Sequence, residues 1–146
     1  MCLTLDVSLC QLVEIIERKH AIYTYLPSPV PATIMILPIN TTMVSPNPAV
    51  FTCVANGVLT PVITWRRRES DNILSQLSSD GVNITITEDD LDSRMRQSNL
   101  TILQPQAVDA AEYACVAWNE LATTDMASAV LTVYGRYSWS EPLVHN

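Results

Sequence analysis

One stretch limits what this chain can fold into more than any other. It runs from Asp109 to Asn119 and reads Asp-Ala-Ala-Glu-Tyr-Ala-Cys-Val-Ala-Trp-Asn. Its polarity alternates with period two: Ala111, Tyr113, Cys115 and Ala117 share one side, and Glu112, Ala114, Val116 and Trp118 the other. That is the pattern of a strand with one buried face. A tyrosine two residues before an inward cysteine makes a specific demand. The ring joins the core, while the hydroxyl needs a partner that a nearby backbone carbonyl can supply. The cysteine in turn looks across the core for a second one, and Cys53 is the candidate. It lies in Ala49-Val50-Phe51-Thr52-Cys53-Val54-Ala55, where Ala49, Phe51, Cys53 and Ala55 alternate onto one face. Trp65 follows twelve residues later, a ring large enough to fill the space between two sheets.

In this order, Cys53, Trp65, Tyr113 and Cys115 resemble the immunoglobulin-like domain, over roughly residues 30 to 134. Further features fall in register. Leu100-Thr101-Ile102 resembles strand E, Asp109 stands six residues before Cys115, Cys115-x-Ala117-x-Asn119 resembles the intermediate and C2-type sets, and Leu131-Thr132-Val133 resembles strand G. The implied fold is all-β, an antiparallel two-sheet sandwich with an irregular or short helical N-terminal extension. The core signature it implies is Trp65, Tyr113, Asp109 and Leu100. It also implies a disulfide between Cys53 and Cys115 with Cα atoms about 5.5–6 Å apart. The alternative for the two cysteines is a buried reduced pair, as in muscle-type members. There are departures. Ala111 replaces the glycine usual before the tyrosine, Ala122 replaces one at the F–G turn, and no Gly-x-Gly follows strand F, unlike an antigen-receptor variable domain.

The remaining strands follow at sandwich spacing. They are Thr33 to Leu37, Thr41 to Val44 (continuing on the other sheet), Ala49 to Ala55, Val62 to Arg67, Ile73 to Leu77, Val82 to Thr87, Ser98 to Leu103, Glu112 to Trp118 and Met126 to Val133. Asn56-Gly57 and Asp80-Gly81 read as turns. From Ala21 to Trp65 no residue is charged, but seven prolines interrupt the run (Pro27, Pro29, Pro31, Pro38, Pro46, Pro48, Pro61), so it is not a membrane span. Residues 27 to 31 read as a stiff proline-rich approach to the domain. The expected organisation is therefore a leader or linker over residues 1–28, the domain over 29–134 and a tail over 135–146.

Before residue 29, Leu5, Leu9, Leu12, Val13 and Ile16 have helical spacing. As a secretion signal the segment is poor: it lacks a basic start, and Asp6, Glu14 and Glu17 interrupt it. The expectation is a fragment or an unrelated leader. Cys2 and Cys10 lack the histidine support of a metal site.

Charge excludes some partners. With 8 basic and 15 acidic residues the net charge is −7, which argues against nucleic acid and anionic membrane surfaces. The Arg66-Arg67-Arg68 run reads as a solvated strand edge. Glu88-Asp89-Asp90-Leu91-Asp92 lacks the ligand spacing and turn glycine of a calcium loop, and reads as a solvated D–E turn balanced in part by Arg94 and Arg96. The resemblance implies an arginine partner for Asp109 near the start of strand D; Ser78, Ser79 and Asp80 stand there, which leaves Arg94 or Arg96 as the substitute. The only histidines, His20 and His145, lie in opposite flanks, and three glycines make no phosphate loop, so neither catalysis nor a cofactor is expected.

A bridged Cys53–Cys115 pair would close a loop of about 60 residues, worth roughly 4 kcal/mol in the loop-entropy model, and would persist only in an oxidising compartment. Three N-x-[ST] sequons, at Asn40, Asn83 and Asn99, agree with that route. Val82 and Ile84 are expected inward on strand D, leaving Asn83 to water.

The expected function is an extracellular binding module of a cell-surface adhesion or receptor protein. Its partner would be a protein, including another immunoglobulin-like domain, with membrane attachment only through further parts of a longer chain. A spacer in a multidomain array, or more weakly an intracellular muscle-type scaffold, is the alternative. Parity puts Thr64, Arg66, Arg68, Val116 and Trp118 on one outer surface, where an outward tryptophan beside arginine has the composition of an interface centre. The competing reading is an arginine covering the indole.

Overall fold

A computed structural model describes residues 28–121 and 124–135. The segment before residue 28, with Cys2, Cys10 and His20, lies outside the described residues, as do Ala122 in the F–G turn and the tail from residue 136, with His145.

Nine strands build two sheets. They are β1 (Val30–Ile36), β2 (Thr41–Val44), β3 (Ala49–Val58), β4 (Val62–Arg68), β5 (Leu74–Gln76), β6 (Ile84–Asp90), β7 (Met95–Ile102), β8 (Ala111–Trp118) and β9 (Thr124–Tyr134). One sheet has the order β1-β3-β7-β6 and the other β2-β9-β8-β4-β5. Every pairing is antiparallel except one: β2 runs parallel to β9, with Thr41 opposite Leu131 and Val44 opposite Tyr134. The first strand thus divides between the two sheets at Leu37-Pro38, as the proline break requires. Val30 and Pro31, expected in the linker, already belong to β1, where Val30 pairs with Val58.

The alternation read from the sequence produces the core. Phe51, Cys53, Trp65, Leu100, Ile102, Tyr113, Cys115 and Leu131 are all buried between the sheets. Cys53 and Cys115 form a disulfide with Cα atoms 6.4 Å apart, at the wide end of the ordinary range. The Phe51 ring stacks on Tyr113 at 5.5 Å and is tilted against Trp65 at 6.4 Å between ring centres. Two aromatic groups carry polar atoms into this core, and each is satisfied. The Trp65 indole N–H donates to the Ser98 hydroxyl at 3.0 Å, and the Tyr113 hydroxyl donates to the Asp109 carbonyl at 2.8 Å. Burial pushes the Tyr113 phenol up to about 12, so it stays protonated across the physiological range.

Several local expectations are corrected. Asn56-Gly57 is no turn but the continuation of β3, because Gly57 N–H donates to the Arg94 carbonyl at 2.9 Å. A side chain at Gly57 would approach Asn119, Pro61 and Ala32 at 3.0–3.3 Å, so glycine serves close packing there. Asp80-Gly81 is a turn, with Gly81 at φ +72°. The Asp80 carboxylate accepts the backbone N–H of Val82, Asn83 and Ile84, each at 2.8 Å, and these bonds hold its carboxyl below the usual range. That cap delays strand D until Ile84 and leaves Val82 81% exposed rather than inward. Glu88, Asp89 and Asp90 belong to β6 itself and not to the D–E connection, which runs through Leu91 to Arg94.

Candidate functional site

The outer face of the five-stranded sheet is built by the pleat of β4, β8 and β9. Register fixes its rows. Arg68, Glu112 and Val130 form one, Arg66, Ala114 and Ser128 the next, then Thr64, Val116 and Met126, and last Val62, Trp118 and Thr124. Two rows are therefore rich in charge and two in apolar surface.

At the charged end the contacts are internal. Arg68 Nε donates to Glu112 Oε2 at 2.7 Å, and Arg68 Nη1 donates to the Asn72 carbonyl and side-chain oxygens at 3.2 and 3.1 Å. The Arg68 guanidinium, with help from Ser128, holds the Glu112 carboxyl below the usual carboxylate range. Arg68 is thus committed within the domain. The arginine run is not a solvated edge either. β4 lies between β8 and β5, and all three arginines are half-buried. Arg67 points to the core side at the end of the sandwich, where its guanidinium donates to the Val108 carbonyl.

At the apolar end Trp118 is 42% exposed and Met126 54%. Val116, expected outward and accessible, does lie on this face but is only 6% exposed. It sits between Thr64 and Met126 in its row, and these neighbours cover it. Nor does Trp118 stand beside an arginine. It is opposite Val62, whereas Arg66 is opposite Ala114 four residues along the strand, about 13 Å away at strand rise. The same spacing argues against the arginine-covered indole of the competing reading.

Of the anticipated face, then, Trp118, Thr64 and Arg66 remain accessible in some degree, Arg68 is tied down and Val116 is filler. Met126 and Val130 are additions. Their parity was available in the sequence, because Ala127, Ala129, Leu131 and Val133 alternate inward and force Met126, Ser128 and Val130 outward.

Two residues of the signature turn out to be structural pins. Asn119 is buried, and its Nδ2 donates to the carbonyls of Val30 at 2.8 Å and Leu59 at 3.2 Å, tying the start of β1 and the β3–β4 loop to the end of β8. Asp109 is not paired with Arg94 or Arg96. Its carboxylate accepts the Gln106 N–H at 2.8 Å and closes the single helical turn Ala107–Asp109. Arg96 instead bridges Asp90 at 2.8 Å and Glu88 at 3.7 Å, since β6 and β7 bring those residues side by side.

Among the described residues no group of acidic, histidine or cysteine side chains could hold a metal ion, and no helix is long and apolar enough to cross a membrane.

Comparison with solved structures returns sandwiches of this kind. The titin M10–obscurin-like 1 immunoglobulin complex aligns at 25% identity, covering 75% of this chain and 99% of that one, with a TM-score of 0.60. The N-terminal two-domain module of the Drosophila receptor protein tyrosine phosphatase DLAR aligns at 29% identity, covering 72% of this chain and 50% of that one, with a TM-score of 0.61. Titin domain M7, at 23% identity, 74% and 98% coverage and a TM-score of 0.60, shares the fold. Comparison with curated protein sequences returns no match. The family model described as immunoglobulin domain matches residues 31–119, more than half of the chain. The chain belongs to the immunoglobulin domain family.

Proposed function

We propose that this domain is an extracellular binding module of a cell-surface adhesion or receptor protein, without catalytic activity, acting through the apolar end of its five-stranded sheet. The observation that carries the reading is the exposure of Trp118 and Met126 around the buried Val116, with Val62, Thr64 and Thr124 completing the patch. A large ring held open at the end of an inner strand offers the kind of anchor on which binding energy concentrates. Beyond it Arg66, which forms no ion pair among the described residues, supplies a cation to an acidic neighbour. The Cys53–Cys115 disulfide supports the extracellular placement, because such bonds persist in oxidising compartments.

Replacing the anchor tests this. Trp118→Ala should shift the thermal midpoint by no more than about 2–4 °C. It should also weaken association by about tenfold or more, read as self-association by sedimentation and as binding of a tetramerised domain to living cells. A large loss of stability with association unchanged would make Trp118 a packing residue and end the proposal.

A second reading, an intracellular scaffold, is favoured by the 25% identity to the titin M10–obscurin-like 1 complex, itself an assembly of immunoglobulin domains. Alkylation of native protein followed by mass spectrometry separates the two. Free thiols at Cys53 and Cys115 would support the scaffold.

A further inference from the structure

The outer face of the four-stranded sheet has a different chemistry. Thr52, Asn99 and Thr87 form one row across β3, β7 and β6, and Val50, Thr101 and Thr85 the next. Asn99 and Thr101, the first and third residues of a sequon, therefore project from the same face of an inner strand, among hydroxyls. Asn99 Oδ1 accepts the Thr52 hydroxyl at 2.8 Å. Among the described residues its Nδ2 donates no hydrogen bond.

The same division recurs at the other two sequons. Asn83 Oδ1 accepts the Gln104 N–H and Asn40 Oδ1 the Val130 N–H, both at 2.8 Å, and among the described residues neither side-chain nitrogen donates a hydrogen bond. Asn119 is the converse, outside any sequon and using its nitrogen twice. At the three sequons the oxygen serves the fold, and the nitrogen can be substituted without breaking a bond.

We infer that Asn99 is an N-glycosylation site whose glycan lies over the outer face of the four-stranded sheet and closes it to protein partners, with Asn83 as a flanking site and Asn40 as a separate site at the β2 edge of the other sheet. In the reaction Asn99 Nδ2 attacks the anomeric carbon of an oligosaccharide carried on a lipid diphosphate. A C–N bond forms, the C–O bond to the diphosphate breaks, the lipid diphosphate leaves, and one amide proton passes to a base of the transferase. The row of threonines gives the sugar hydroxyls partners, and the one large apolar neighbour on the two rows, Val50, is half-exposed. The five-stranded sheet has its sequon at the β2 edge, where Asn40 meets Val130 at the end opposite Trp118, so the Trp118–Met126 patch stays bare.

The inference rests on the secretory placement proposed above. The test supplies that route itself, so the two can fail separately. The full chain is expressed behind a secretion signal in a eukaryotic host, and glycopeptides are analysed from both medium and secretory lumen. The Asn99 peptide should carry glycan, lose it in Thr101→Ala and keep it in Thr101→Ser, which also controls for folding. Glycan at Asn83 or Asn40 with Asn99 bare, or glycan at none of the three, overturns the assignment. Hydroxyl-radical footprinting tests the covering: Val50 and Thr87 should be oxidised about twofold less, or lower still, in the glycosylated protein than in Thr101→Ala, with Trp118 and Met126 equal in both. Equal oxidation at Val50 overturns the covering. Native protein found in the cytosol would refute the placement and leave the chemistry at Asn99 standing.

Discussion

The two outer faces of this sandwich are made by the same pleat over one shared core, yet they present opposite surfaces. On the four-stranded sheet the outward residues of β3, β7 and β6 include Thr52, Asn99, Thr101, Thr85 and Thr87, and the polar atoms of Thr52 and Asn99 meet each other. On the five-stranded sheet Trp118 and Met126 stand open around Val116, while the charges gather at the other end as Arg68–Glu112. Inward parity is dictated by the core, so both sheets are alike inside. Outward parity is free of that demand, and there the sequence records what each face must meet.

The largest effect should come from a change that ignores the difference. Trp65→Ala removes the ring both sheets pack against and leaves the buried Ser98 hydroxyl without its donor. A loss of about 3–5 kcal/mol is expected, read by chemical denaturation, with probes on both faces reporting one transition. Separate transitions would mean that the faces do not share a core.

Asn119→Ala should separate the regions. Its amide holds Val30 and Leu59 from the end of β8. Removing it should cost about 1–3 kcal/mol. Amide exchange should quicken in β1 and the β3–β4 loop while the β8–β9 ladder stays protected. Uniform quickening would show that the pin acts on the whole domain.

The smallest effect is a titration. Asp80, at the foot of β6, and Glu112, on the five-stranded face, both have carboxyls held below their ordinary range, by backbone N–H groups and by Arg68 respectively. A lowered folded-state pKa means stability present above the unfolded-state value and lost as pH falls through the folded one. Stability should therefore decline on acidification from about pH 5 downward. Asp80→Asn and Glu112→Gln should each flatten part of that slope. An unchanged slope in either variant would mean that its bonds contribute nothing.

Much of the fold was legible because it depends on alternation. Cys53, Trp65, Leu100, Tyr113 and Cys115 report their burial by parity alone, and the structure buries all five. Three of the misreadings share a cause, a contact made by residues from another strand or loop. Asn56-Gly57 looks like a turn until Arg94 accepts the Gly57 N–H. The arginine run looks solvated until β5 folds alongside β4. Val116 was placed on the correct face, but its covering by Met126 depends on the β8–β9 register. Asp109 is the exception: expected beside an arginine, it closes its own turn on the Gln106 N–H, three residues away.

The parallel pairing of β2 with β9 gives the domain a mechanical character. The chain passes from β1 into the start of β2, and β9 is the last strand of the sandwich. Once β1 has yielded, tension applied along the chain from both sides drags these strands past each other along their length. Thr41 to Val44 against Leu131 to Tyr134, extended by the Ser45 N–H to the Tyr134 carbonyl at 3.1 Å, must then give way together rather than one bond after another. A short ladder loaded in shear resists more force than a longer one peeled from its end, so this seam sets how much tension the domain bears before it opens.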